Sequence, residues 1–133
     1  MPLKLILKPQ EKIIIAGAVV TNGKSTAHLI VENNVPVLRE KDILKESETN
    51  SPARRIYFVI QMMYIDRGNL IKYHAAYWRL VRDFLQAAPS GLRIIDAISE
   101  FILGDRYYQA LRETRKLMDL ERRILSGAGR AVD

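Results

Sequence analysis

In this 133-residue chain, the residues best suited to chemistry are His28, His74, the Gly23-Lys24-Ser25 run, two close carboxylate pairs and the arginines Arg54 and Arg55. Metal binding or proton transfer by the histidines would need H-x3-H or H-E-x-x-H spacing, and they stand 46 positions apart. Both read as surface or rim residues. Thr21-Asn22-Gly23-Lys24-Ser25 ends like a phosphate loop, but it lacks that motif's first glycine. It also joins two strand-like segments, where a phosphate loop would open a helix. The carboxylate pairs Glu40/Asp42 and Glu46/Glu48 lie in a polar stretch with nothing obvious to separate their pKa values, as acid–base catalysis requires. No catalytic residue, metal ligand or cofactor site is therefore expected, and a binding protein is favoured over an enzyme.

Arg54 and Arg55 are different, because paired arginines suit a polyanion. The formal charge is +6, and the excess is concentrated between residues 51 and 90, where six basic residues face two acidic ones. Such a balance attracts nucleic acid, acidic proteins or anionic lipid without selecting among them. There are no cysteines, which excludes disulfides and cysteine-rich zinc sites and fits a reducing compartment. No secretory signal is visible at the N-terminus. The longest apolar run, Ile56–Ile65, would span about 15 Å as a helix, against about 30 Å of bilayer hydrocarbon. A cytoplasmic location without a membrane span is expected.

The elements that must position these residues fall into two runs. Leu3–Lys8 alternates, with Leu3, Leu5 and Leu7 on one face, as a half-buried strand does. Lys8-Pro9-Gln10-Glu11 predicts a turn. Lys12–Val20 predicts one β-branched strand, bulged or bent at Gly17, and Asn22-Gly23 predicts a type I′ hairpin into a strand at Thr26–Val31. Pro36 confines a last strand, Val35–Arg39, to an edge or bulge. Glu40–Asn50 is a linker that begins with a short helical turn.

Ser51-Pro52 then combines an N-cap with a proline at the first helical position, opening a helix that runs to about Asp66. Apolar stripes predict further helices at Leu70–Ala88, Leu92–Leu103 and Arg106–Leu125. Tyr107, Leu111, Met118 and Leu125 are expected on the buried side of the last. The fold class is α+β: a small antiparallel β module of four to five strands, residues 1–50, a four-helix array, residues 51–126, and a flexible tail, residues 127–133.

Lys8-Pro9-Gln10-Glu11, Val37-Leu38-Arg39-Glu40-Lys41-Asp42-Ile43 and Ser51-Pro52-Ala53-Arg54-Arg55-Ile56-Tyr57-Phe58 together closely resemble the FlbT family of flagellin regulators, with Gln10 where that family's turn has glycine. The resemblance implies a regulator that binds the 5′ untranslated region of flagellin mRNA and represses its translation or shortens its life. FlaF, a small partner working in opposition, is implied as well. The β half is also similar to the small RNA-binding regulators of the CsrA type, which are intertwined dimers. That similarity implies RNA contacts at Lys8 of the first strand and at Arg39, although Leu7 stands where a second basic residue is expected; Lys4 on the same strand is a further candidate contact.

For Arg39 the competing expectation is an ion pair with Glu11, Glu40 or Asp42. Arg54 and Arg55 would be auxiliary RNA contacts, needing an acidic group nearby because a helix start disfavours positive charge. A second functional reading makes the helical half a protein-interaction module for flagellin, FlaF or an export factor. Tyr77, Trp78, Tyr107 and Tyr108 are its candidate partner-binding residues, unless they fill the core. Edge strands around Leu3 and Pro36 would be protected in a homodimer.

Overall fold

The computed structural model describes residues 2–127. The expected flexible tail lies outside that range except for Gly127, which closes the last helix. The chain divides into two compact units, the first ending at Ile43 and the second beginning at Leu44, earlier than the expected boundary after residue 50. The reason is Gln61, the one strongly polar residue in the Ile56–Ile65 run. Its buried amide accepts from the Leu44 N–H at 2.8 Å and donates to the Leu44 carbonyl at 3.0 Å, so the start of the linker is bound to a helix.

The first unit has five strands in two sheets. β1 (Leu3–Leu7) pairs antiparallel with β4 (Ala27–Val31), with Leu5 opposite Leu29. β2 (Lys12–Ile15) lies between β3 (Ala18–Thr21) and β5 (Val37–Arg39), antiparallel to both. Leu5, Leu7 and Ile13 form the buried centre, with Ala27, Leu29 and Val31 packed against them on the alternating face expected from the sequence. Leu3 is at the open end of that face and remains exposed.

Two turns differ from expectation. Lys12–Val20 is not one bent strand: Ala16 (φ 50°) and Gly17 (φ 86°) make a two-residue reversal that pairs Ile15 with Ala18. Both central residues are left-handed, as in a type I′ turn, although alanine is a poor match for that conformation. Asn22-Gly23 is not a hairpin, because β3 and β4 belong to different sheets. The Asn22 amide instead donates to the carbonyls of Leu7 (3.3 Å), Lys8 (2.8 Å) and Ser25 (3.0 Å). Its backbone N–H donates to the Glu11 carbonyl at 2.8 Å, and the Gly23 carbonyl accepts from the Gln10 N–H at 2.9 Å. Asn22 therefore fastens the sheet crossover to the Lys8–Glu11 turn.

The second unit contains α1 (Pro52–Ile65), α2 (Leu70–Ala87), α3 (Leu92–Leu103) and α4 (Tyr107–Gly127). Ser51 caps α1 as its sequence predicts, its hydroxyl accepting from the Arg54 N–H at 3.3 Å. α1 packs on α2 and α4, and α4 on α3. Ile56, Ile60 and Met63 of α1, Ile98 of α3 and Leu111 and Leu117 of α4 are almost wholly buried. A single turn, Pro89–Gly91, joins α2 to α3. A side chain at Gly91 would approach the Phe84 ring to 2.7 Å, so glycine there leaves that ring its room.

The stripe expected on α4 is correct at Tyr107 and Leu111, but the buried line continues through Ala110, Thr114 and Leu117, with Met118 half-buried. Leu125 is 67% exposed, although it lies five full turns from Tyr107 and so on the same side of the helix.

Candidate nucleic-acid interface

The sequence candidates Lys8 and Arg39 meet at one place in the first unit. The Lys8–Glu11 turn and the end of β5 enclose a shallow cavity of about 630 Å³, lined by Lys8, Pro9, Gln10, Glu11, Arg39, Glu40 and Lys41. Proline sets the first central position of the turn and Gln10 takes φ 66° at the second, closed by Glu11 N–H to Lys8 carbonyl at 3.1 Å. That left-handed position explains why glycine would suit it.

Arg39 is a clamp within this wall. Its terminal nitrogen donates to the Ile6 carbonyl at 2.7 Å and to both Glu11 carboxylate oxygens, at 3.0 and 3.2 Å. The ion pair that competed with RNA binding in the sequence reading is thus formed, and Glu11 is the partner. The Glu11 carboxylate also accepts the Lys8 N–H at 2.8 Å. That backbone bond first, and the Arg39 hydrogen bond second, hold the Glu11 pKa below the ordinary carboxylate value. Glu40, the other acid of the wall, accepts the Lys12 N–H at 2.6 Å. Both carboxylates therefore accept backbone N–H groups, and Lys8, Arg39 and Lys41 stand beside them in the lining. Lys41 and Gln10 were missed as lining residues, although both stand in the runs that carry the family resemblance.

The remaining candidates are elsewhere. Lys4 is exposed on β1 opposite Ile30 and does not line the cavity. Arg54 and Arg55 belong to the second unit. Of the linker glutamates only Glu48 meets this pair, through its backbone carbonyl, which accepts from Arg54 at 3.3 Å; the carboxylate at this helix start is Glu121 of α4, which accepts the Ala53 N–H at 2.9 Å.

Among the expected partner-binding aromatics, Tyr77 is completely buried and Tyr107 nearly so, which removes both as contact residues. Tyr77 instead bonds Ser99 at 2.8 Å, and burial pushes its pKa up to about 12. Tyr107 meets His74 at 3.2 Å and carries the Arg67 guanidinium over its ring. Tyr108 is half-buried against Tyr64. Trp78 alone of the four is substantially open, at 44%. His28 is exposed on β4, and Gly23-Lys24-Ser25 lies in a loop with no helix behind it. Among the described residues no group of three or more His, Asp or Glu could hold a metal ion, and no helix is long and apolar enough to cross a membrane.

A strand unit with a cation-rimmed turn, followed by a separately packed four-helix unit, defines a small, basic α+β protein. The chain belongs to the FlbT family: the family model described as flagellar protein FlbT matches residues 3–125. It is 42% identical over 125 residues to the probable flagellum biosynthesis repressor protein FlbT 1 of Bradyrhizobium diazoefficiens, covering 93% of this chain and 85% of that one. The probable flagellum biosynthesis repressor protein FlbT of Rhodopseudomonas palustris strain TIE-1 is 39% identical over 95% of this chain and 99% of its own. The flagellum biosynthesis repressor protein FlbT of Caulobacter vibrioides strain ATCC 19089 is 40% identical over 91% and 87%. No solved structure matches the chain.

Proposed function

We propose that this protein represses flagellum biosynthesis by binding the 5′ untranslated region of flagellin mRNA in the cytoplasm, blocking its translation or promoting its decay without catalysis of its own. The names of the relatives support the repressor role. The observation that carries the RNA reading is the cavity at the Lys8–Glu11 turn, where three basic side chains, Lys8, Arg39 and Lys41, share one wall with two carboxylates that accept backbone N–H groups. Single-stranded RNA is read by backbone groups, amides and arginines reaching unstacked bases, while lysines neutralise phosphates. Gln10 supplies an exposed amide on the rim of the cavity.

The test is a filter-binding titration of a flagellin leader RNA and a scrambled control at several salt concentrations. Leader affinity should exceed control affinity and fall with log[salt] at a slope of roughly −0.7 per phosphate contact. Lys8→Ala should weaken binding and flatten that slope. Equal affinity for leader and scrambled RNA would overturn direct recognition.

A further inference from the structure

The outer strand of the three-stranded sheet is unguarded. β3 runs Ala18-Val19-Val20-Thr21 without a charge, and among the described strands it alone is exposed at every position, Val19 at 68% and Val20 at 38%. It pairs with β2 on one side only. The two-residue reversal at Ala16-Gly17 makes Ile15/Ala18 a hydrogen-bonded rung. Bonded rungs then recur at Ile13/Val20 and at Glu11/Asn22, where the Asn22 N–H donates to the Glu11 carbonyl at 2.8 Å. Val19 and Thr21 fall between those rungs and turn their N–H and C=O groups away from β2. Natural sheet edges are commonly blocked by charge, proline or a covering group. β1 carries Lys4 and gives its Ile6 carbonyl to Arg39, and β5 follows Pro36, but β3 has no such device.

We infer that two copies of this chain associate through β3, pairing antiparallel about a two-fold axis at Val20 to join their three-stranded sheets into one of six strands. The outward backbone groups call for an extended strand as the occupant. β3 is itself the match: Val19 and the partner's Thr21 form one bonded rung, Thr21 and the partner's Val19 form the other, and the two Val20 residues meet in the close, unbonded position between them. Valine and threonine are side chains that stabilise such cross-strand contacts. Val19 also shares its rung with Ile14 and Leu38, both buried, so the pairing carries that apolar row up to the seam. Copies of a +6 chain repel as wholes, yet the seam strand holds no charge, and Lys12, opposite Thr21, donates its ammonium to the Thr21 hydroxyl at 3.3 Å. The lack of cations on β3 argues against RNA at this edge. Four residues make a small interface, so the association is of the weak, concentration-dependent kind. β1 and β5 keep the strand partners they have within one chain, and the inference does not depend on the RNA reading.

The chain has no cysteine, so a single introduced thiol reports on the seam. In nuclease-treated whole chain oxidised with glutathione disulfide, Val20→Cys should form a disulfide-linked dimer about tenfold faster than Val19→Cys, because the two Val20 positions are opposed and the two Val19 positions lie a diagonal apart, beyond disulfide reach. Exposure alone would give the reverse order, since Val19 is the more open of the two. Sedimentation velocity of the unmodified chain should show a monomer–dimer equilibrium that moves toward dimer with concentration. Val19→Lys, a charge at an exposed edge position, should weaken that association about tenfold with unchanged circular dichroism. A monomer at every concentration, equal or reversed crosslinking of the two cysteine variants, loss of the dimer on nuclease treatment, or a dimer indifferent to Val19→Lys would overturn the inference.

Discussion

Glu121 of α4 accepts the backbone N–H of Ala53 in the first turn of α1, joining residues 68 positions apart at 2.9 Å. The four leading N–H groups of a helix have no intrahelical partner, and the helix dipole favours a negative charge beside them. Ser51 satisfies one of these groups locally and Glu121 another from across the unit. Glu121→Ala should therefore destabilise the helical unit by about 1–2 kcal/mol. Glu121→Gln, which keeps the acceptor and loses the charge, should cost less. Urea unfolding followed by the fluorescence of Trp78 separates the two outcomes, and equal stability of all three proteins would show the contact to be idle.

The Gln10 turn permits a prediction of opposite sign. A non-glycine residue at φ 66° carries a steric cost that glycine does not, partly offset by glycine's larger loss of backbone entropy on folding. Gln10→Gly should raise stability by roughly 0.5–1 kcal/mol, and Gln10→Val, β-branched at the same φ, should lower it. The measurement is the urea midpoint of each variant by far-ultraviolet circular dichroism.

The strands and helices legible in the sequence were those whose evidence is local. Leu5 and Leu7 alternate within five residues, and Ser51-Pro52 announces α1 by itself. Asn22-Gly23 misled because the same dipeptide that suits a tight turn can spend its amide on distant carbonyls, here those of Leu7 and Lys8. Ala16-Gly17 hid the true reversal because alanine seldom takes a left-handed conformation. At the candidate site, Lys8 and Arg39 were found from their runs. That Glu11 would be the residue clamped by Arg39 depended on which strands pair, and spacing alone left Glu40 and Asp42 as equal choices. Tyr77 and Tyr107 looked like interface anchors because an aromatic on a helix has the same sequence signature whether it faces a partner or the core.

The clamp makes the first unit sensitive to acid. The folded-state pKa of Glu11 lies below its ordinary value of 4.5, so the stability it contributes is present above that pH and is lost as pH falls through the lower, folded-state pKa. Glu11→Gln removes this dependence. In the unmodified chain the amide proton of Lys8, which donates to Glu11, should shift in nuclear magnetic resonance spectra with a midpoint below 4.5. A midpoint at or above that value would show that the carboxylate gains nothing from its partners. Arg39→Ala should raise the midpoint without abolishing the shift, because the Lys8 N–H, the larger cause, remains.

Alkali tests the helical core from the other side. Burial raises the Tyr77 pKa from 10.0 to about 12, so in that interval the unfolded chain releases a proton that the folded chain retains. Stability is therefore level with respect to this group below pH 10 and falls as pH rises from 10 toward 12, by roughly 2–3 kcal/mol in total. Tyr73 and Tyr107 are also raised, Tyr73 mainly by its hydrogen bond to Asp66 and Tyr107 mainly by burial, and they add to the same slope. Tyr77→Phe keeps the ring and removes the proton. It should cost about 1 kcal/mol at neutral pH, where the Ser99 hydroxyl loses its partner, and should make the decline between pH 10 and 12 shallower than in the unmodified chain. Urea midpoints measured across that range decide the point: parallel declines in the two proteins would place the alkaline sensitivity elsewhere than Tyr77.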